Sequence, residues 1–371
     1  MRIDAIRTAV IRRVYSDAPS NTHHTWHERR YLLVGIETDA GIAGIGEIYT
    51  DAHGAPEVSE AIIRQEIVPH LLGRDPLAIG AIHALLEDRW MLGGRTGGYG
   101  PVLAGIDIAL WDIVGQSSGQ PLWKLLGGHS SHVPTYASGG MYGLSTGALA
   151  RDMAAAIAAG DCGVKIKVGA APLAHDVARV AAVRDAIGPD VPLMVDAMFA
   201  LTLGEALKLA RALLPFDLHF LEAPTNALDL VGWERIRDGV GVPLSGPELQ
   251  SSVDLMRDIL VRDVVQFLQY DVTLAGGLSV GRDLAALARA HHRSVSLHCA
   301  TSAVGLAASA HLGAAISNCD GVEHHLLHRG LHDRLWQSDW RRENGGIVVP
   351  DRPGLGLPFT FDDILADAEV A

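Results

Sequence analysis

The sequence predicts an α/β protein, a (β/α)8 barrel carrying an N-terminal α+β capping domain. Three observations lead there. After about residue 133, short apolar runs alternate eight times with Ala-rich helical stretches over roughly 200 residues. Seven of the eight runs end on or near an ionisable residue, and those residues recur about one strand–helix unit apart. The first 50 residues have a different rhythm, alternating and β-branched, and then give way to helical periodicity up to about residue 119.

In chain order, strands are expected at Ile3–Val14, Arg30–Thr38 and Ile42–Ile48, with a turn at Asp39-Ala40-Gly41. Between the first two lies a polar stretch, Ser20–Arg29. Helices are expected at Pro56–Pro69, Pro76–Trp90 and Tyr99–Gly115. The barrel strands are Val133–Ala137, Val164–Val168, Leu193–Asp196, His219–Glu222, Pro243–Glu248, Val265–Asp271, Val295–His298 and Gly321–Glu323. Thr202-Leu203-Gly204-Glu205 has the spacing of a capping box. These elements divide the chain into a capping domain (1–125), a barrel (126–349) and a C-terminal segment of strand and turn character (350–371) that returns to the capping domain. A doubly wound open sheet is the competing architecture. It would normally show a Gly-rich phosphate loop after its first strand, and Thr135-Tyr136-Ala137-Ser138-Gly139-Gly140 fits that poorly.

A net charge of -13 argues against nucleic-acid or anionic-membrane partners. No apolar run reaches membrane-spanning length. The charged opening Met1-Arg2-Ile3-Asp4 lacks an apolar signal segment, and three widely separated cysteines suggest a reducing compartment, so a cytoplasmic location is expected.

The chain has only four lysines, and two of them are Lys165 and Lys167, in one β-branched run. Residues i and i+2 of a strand share a face, so both ammonium groups enter one poorly solvated place. Crowded like charges lower an amine's pKa, and lysine, unlike arginine, can then act as a base. The other strand ends carry Asp196, Glu222, Glu248, Asp271, His298 and Glu323, spaced by 26, 26, 23, 27 and 25 residues. Any one acid alone would pass for a helix cap. In phase, Asp196, Glu222 and Glu248 converge on the mouth and require a shared cation, Mg²⁺ by its preference for oxygen, with Mn²⁺ also suited. Asp271 sits one strand from His298 and can fix its tautomer. A lysine base (Lys167) and a histidine base (His298) then flank a metal, which suits abstraction of a proton α to a carboxylate. Glu323, protonated or hydrogen-bonded, would spread the charge of the enediolate. A helical Zn²⁺ site at His324, His328 and His332 is the weaker reading, and a polar loop or helix face near the mouth the better one.

These motifs resemble the enolase superfamily, and within it the mandelate racemase-like subgroup. The resemblance is carried by Gly105-Ile106-Asp107-Ile108-Ala109-Leu110-Trp111-Asp112, Leu125-Leu126-Gly127-Gly128, Lys165-Ile166-Lys167, Glu222-Ala223-Pro224 and Gln269-Tyr270-Asp271 with Gly276-Gly277. It implies a TIM-type barrel, Mg²⁺ on Asp196, Glu222 and Glu248, bases at Lys167 and His298, the His298–Asp271 dyad and Glu323 as electrophilic partner. It further implies capping loops that close over the mouth and choose the substrate, and a homo-oligomer. Two positions depart from the pattern. Met198 stands where the subgroup usually carries Asn beside the α-hydroxyl, and Pro247 precedes the third ligand.

The substrate is expected to be a small carboxylate. The capping loop, with His23, His24, Trp26, His27 and Arg29, offers donors to a hydroxylated anion. Together with Met198 these are the expected substrate contacts. The leading expectation is an acid-sugar dehydratase acting on an aldonic or aldaric acid. A racemase or epimerase, or a lactone cycloisomerase, is the alternative. In the dehydratase, Lys165 tunes Lys167 and binds the substrate carboxylate.

Overall fold

The computed structural model describes residues 1–50, 55–90 and 97–368. Three antiparallel strands open the chain, β1 (Ile3–Val14), β2 (Glu28–Thr38) and β3 (Ala43–Ile48), with β2 in the middle. Helices α1 (Pro56–Ile62), α2 (Val68–Leu71), α3 (Ile79–Arg89) and α4 (Tyr99–Ser118) follow. The single helix expected over Pro56–Pro69 is interrupted by a π-helical stretch, Ile63–Ile67. Pro69 has no N–H to give to the carbonyl four residues back, and the ladder loosens just ahead of it.

The motif around α4 has a packing reason. A Cβ on Gly44 would lie 2.0 Å from the Ala109 carbonyl oxygen, and one on Gly46 would lie 1.9 Å from that of Gly105. Bare backbone on β3 therefore lets α4 lie directly on the sheet. Three buried carboxylates then tie this domain to its surroundings. Asp112 accepts from Ile45 N (3.0 Å) and Leu355 N (2.8 Å). Asp107 accepts from Ser279 N (3.0 Å), Ser279 Oγ (2.6 Å) and the ring of His83 (2.7 Å). Glu47 accepts from Ser302 N, Ser302 Oγ and Gly305 N at 2.6–2.8 Å.

After the short α5 (Leu122–Leu125), eight parallel strands close into a barrel among the described residues. They are β4 (His132–Gly139), β5 (Gly163–Lys167), β6 (Leu193–Asp196), β7 (Phe220–Glu222), β8 (Leu244–Gly246), β9 (Phe267–Asp271), β10 (Ser294–His298) and β11 (Cys319–His325), with β11 pairing back onto β4. Helices α6 (Thr146–Ala158), α7 (Leu173–Ile187), α8 (Leu203–Leu213), α9 (Leu230–Val240), α10 (Val253–Val261), α11 (Gly277–Ala290), α12 (Ala303–Ala315) and α13 (Arg329–Trp336) wrap it. Their starts are written locally. Ser145, Asp229 and Ser252 each accept a backbone N–H of the first turn, and Thr202 with Glu205 forms the expected capping box. On β5, Val164 and Ile166 are fully buried in the apolar core, and the alternation sends Lys165 and Lys167 to the other face, inside the barrel.

A hairpin, β12 (Arg341–Glu343) and β13 (Gly346–Val348), adds antiparallel to β4. The strand character expected after Pro350 is corrected to turns followed by α14 (Phe361–Ala368). Thr360 and Asp363 cap that helix reciprocally. The Phe361 ring fills the space beside Gly35, and Asp362 accepts from Arg7 (2.8 Å). No helix among the described residues is long and apolar enough to cross a membrane.

The close approach of β3 to α4 sets a test. Gly46→Ala should destabilise the protein by about 3 kcal/mol through overpacking, read as a lower urea midpoint with an unchanged m-value. Gly80→Ala, where an added Cβ meets nothing within 4 Å, should leave the midpoint nearly unchanged.

Candidate active site

The strand register delivers the ionisable residues to one end of the barrel. Lys167 lies beside Asp196, Asp196 beside Glu222, and His298 beside Asp271. Lys165, Lys167, Asp196, Glu222, Glu248, Asp271, His298 and Glu323 are all buried. Five carboxyl groups thus share a dry space with two lysines and one histidine, and negative charge is in excess.

The contacts sort them. Lys165 Nζ donates to both Glu222 oxygens (2.8 and 2.7 Å) and lies 3.2 Å from Glu323 Oε1. Gln269 Nε2 donates to Glu222 Oε2 (2.9 Å) and is itself oriented by Ser245 Oγ (3.0 Å). Lys167 Nζ pairs with Asp196 Oδ2 and touches the Met198 sulfur at 3.5 Å. Asp196 Oδ1 accepts from Met198 N (2.8 Å). His298 Nδ1 meets Asp271 Oδ2 at 2.7 Å, and the other Asp271 oxygen is held by Thr273 N and Oγ1. Since the carboxylate takes the Nδ1 proton, His298 turns Nε2 toward Glu323 Oε2, 3.7 Å away. The Tyr49 ring of the capping domain meets the His298 ring edge-on, with centroids 6.1 Å apart.

Glu248 is different. It is buried, and neither of its carboxylate oxygens has a hydrogen-bond partner among the described residues. One oxygen each from Asp196, Glu222 and Glu248 lie within 4.8 Å of one another. An orphaned, buried carboxylate beside two others fits a hard divalent cation held by oxygen. Mg²⁺ meets that description.

Electrostatics follow the same division. Burial, then Glu222 and Asp196, pushes the Glu248 carboxyl well above its usual range. Burial raises Glu222 to about 7 in spite of Lys165. For Asp196 and Glu323, burial is outweighed by Lys167 and Lys165 in the first case and by Lys165 and His298 in the second, and both are held low. Two expectations are corrected here. Burial and the repulsion of Lys165 do pull the Lys167 amine down, but Asp196 and the other acids outweigh them and the net direction is up. Of the two alternatives expected for Glu323, protonation is not supported, since Lys165, 3.2 Å away, and His298 hold its carboxyl low. Burial lowers His298, yet Glu323 and Asp271 together raise it to about 9.

The capping loop reaches this mouth unevenly. His23 Nε2 bonds the Met198 carbonyl (2.7 Å), and Thr22 Oγ1 bonds that of Val168 (3.3 Å). His24 and Trp26 form a ring contact, and the Arg29 guanidinium stacks 5.7 Å above Trp26. Arg29 is buried and donates to His328 Nε2 (2.8 Å) and the Ala300 carbonyl. His27 is exposed, next to the start of β2, with its carbonyl accepting from Tyr15 N. Met198 sits in the left-handed region at φ 52°. The weaker Zn²⁺ reading is not supported, and neither is a polar face. His324, His328 and His332 lie on three separate elements, all buried. They bond Asp161, Arg29 with Tyr31, and the Thr301 carbonyl respectively.

Sequence reasoning missed Gln269, Glu47, Ser138 and His325 as members of this region. Glu47 was a lone acid inside an apolar strand. His325 follows Glu323 by two residues on the same strand face, so alternation alone could have flagged it.

Barrel, cap and acid cluster together define a class of metal-assisted enzymes acting at a carboxylate. Residues 5–127 match the N-terminal domain of mandelate racemase / muconate lactonizing enzyme, and residues 148–363 match the enolase C-terminal domain-like model. The chain belongs to that family of the enolase superfamily. It is 31% identical to an arabinonate dehydratase of Saccharolobus solfataricus, covering 91% of this chain and 90% of that one. It is 33% identical to a 3,6-anhydro-alpha-L-galactonate cycloisomerase of Streptomyces coelicolor, covering 92% of each. A racemase from Streptomyces coelicolor A3(2), solved with bound magnesium, superposes with a TM-score of 0.90 at 31% identity over 98% of both chains.

Two measurements bear on the site. Mg²⁺ at a hundredfold excess over its Kd should stabilise the chelated protein by about 2.7 kcal/mol. Glu248→Gln should lose most of that gain while leaving the metal-free protein at least as stable as wild type, because the cost of burying that carboxyl beside Glu222 and Asp196 is gone. Unfolding with and without Mg²⁺ checks both. The His298 value, about 9 against 6.5 for a free imidazole, makes its pairing a stability contribution that is complete below about pH 6.5 and lost as pH rises through about 9. In metal-free protein the stability difference between wild type and His298→Gln should therefore shrink by on the order of 3 kcal/mol from pH 6 to pH 10.

Proposed function

We propose that this enzyme dehydrates an acid sugar, an aldonic or aldaric acid, to a 2-keto-3-deoxy acid. The observation that carries the reading is His298, whose Nδ1 is held by Asp271 at 2.7 Å and whose Nε2 is turned into the mouth toward Glu323, with Glu323 and Asp271 both favouring its protonated form. It stands in the same mouth as Lys167, a lysine inside a buried strand. In this reading Lys167 Nζ takes the α proton, and His298 Nε2 gives its proton to the departing β-hydroxyl. Lys165 and Glu323 hold and balance the substrate carboxylate, Asp271 keeps the His298 tautomer, and the capping loop excludes water. Mg²⁺ bound at Asp196, Glu222 and Glu248 supplies positive charge for the developing enediolate and offsets the acids that otherwise keep Lys167 protonated. A homo-oligomer belongs to the same proposal, supported by the family resemblance. Cycloisomerisation is the second reading, supported by the cycloisomerase relative.

The test is a panel of aldonic and aldaric acids with the Mg²⁺-loaded protein in D2O, reading keto-acid formation and α-deuterium. Wild type should form keto acid. Lys167→Ala should lose both readouts by about 10³-fold. His298→Asn should lose keto acid to a similar extent yet still exchange the α proton. Deuterium wash-in by wild type without any keto acid would contradict dehydration.

A further inference from the structure

The mouth contains a polar group that the proposed reaction leaves unused. His325 lies two residues beyond Glu323 on β11, so both side chains share the face turned into the barrel. It is 4% exposed. Glu323, Lys167, Arg29 and Lys165 are close enough for their charges to act on its ring.

The hydrogen bonds fix its tautomer. His325 Nδ1 faces the backbone N–H of Leu327 at 3.3 Å. A backbone amide can only donate, so Nδ1 is the bare nitrogen and the ring proton resides on Nε2. Among the described residues, the one hydrogen bond seen at this ring is that to Nδ1, and none is seen at Nε2. The space on one side of the ring is taken by His328, with centroids 4.6 Å apart. His328 is itself locked. Its Nε2 accepts from Arg29 Nη1, so its Nδ1–H donates to Tyr31 Oη at 2.7 Å. His325 is thus a braced imidazole with one spare donor. Burial and the nearby Lys167 and Arg29 charges favour its neutral form.

A second observation points to the same wall. Ser138 is the register partner of His325 on one side and of Lys165 on the other. It is fully buried, and its hydroxyl also lacks a partner among the described residues. A buried hydroxyl without a partner is costly unless a ligand completes it, and the His325 imidazole stands next to it.

We propose that His325 is a specificity-determining residue whose Nε2–H donates to a hydroxyl of the substrate's carbon chain beyond the two reacting carbons. This rests on the acid-sugar reading above. The donor is uncharged, which suits a hydroxyl better than a second carboxylate and so favours aldonic over aldaric acids. It stands one step nearer the mouth than Glu323, where the unreacted end of a longer acid would extend.

Calorimetry on the Mg²⁺-loaded protein tests this with two probes: the pentonic or hexonic acid that wild type binds most tightly, and glycerate, whose chain ends at the β-hydroxyl. His325→Leu should weaken the longer acid about tenfold, the worth of one hydrogen bond, and leave glycerate unchanged. His325→Gln, whose amide N–H reaches the same region, should restore most of the loss. Equal weakening of both acids, no weakening of the longer acid, or no restoration by Gln would overturn the proposal. Failure of wild type to bind either acid would overturn it together with the acid-sugar reading. Selective loss of binding with no keto acid formed would support the His325 assignment and count against dehydration alone.

Discussion

The structure depends on one electrostatic constraint. Too many carboxylates are buried in the barrel mouth for the cations that face them. Lys165 spans Glu222 and Glu323, and Lys167 holds Asp196, but nothing described donates to Glu248. Such a cluster is relieved by a proton, as the raised Glu248 carboxyl shows, or by a further positive charge, and its all-oxygen composition selects the kind of ion. The same excess explains why both lysines are held up rather than down without that ion. The charge that makes the fold tolerate the acids would also be the charge that frees a lysine to accept a proton.

The capping domain is held to the barrel by charge as well. Glu47 caps the first turn of α12, the helix that follows the His298 strand, and Tyr49 leans on the His298 ring. Asp107 holds the first turn of α11, which follows Asp271. These are anions placed at helix N-termini, where backbone N–H groups need acceptors. Burial raises Glu47 to about 7 even so, despite three donors. The domain that would choose the substrate is thus anchored beside the strands that would perform the chemistry.

Much of this was legible in the sequence because the barrel repeats. Strand periodicity placed eight strands within a few residues, and the ionisable residues at the ends of seven of them gave the acid cluster without any contact information. The capping box at Thr202 was equally readable. What could not be read is set by distance in space. Gln269 matters because it reaches across to Glu222, and Glu47 because it reaches another domain. The lysine pKa direction depended on how many acids surround each amine, which strand spacing does not state. His324, His328 and His332 shared a helical spacing but fell on a strand, a 3-10 turn and a helix, so their period meant nothing. The α14 helix was hidden by its length, since eight residues give little periodic signal.

The central claim is that the acid cluster, charged with Mg²⁺, places a substrate's α carbon between Lys167 and His298. A crystal structure of the Lys167→Ala protein with Mg²⁺ and an aldonic acid tests it most directly. The account predicts metal on Asp196, Glu222 and Glu248, one substrate carboxylate oxygen near it, and the α carbon between the position of residue 167 and His298 Nε2. Metal bound elsewhere, or an α carbon out of reach of both residues, would contradict it.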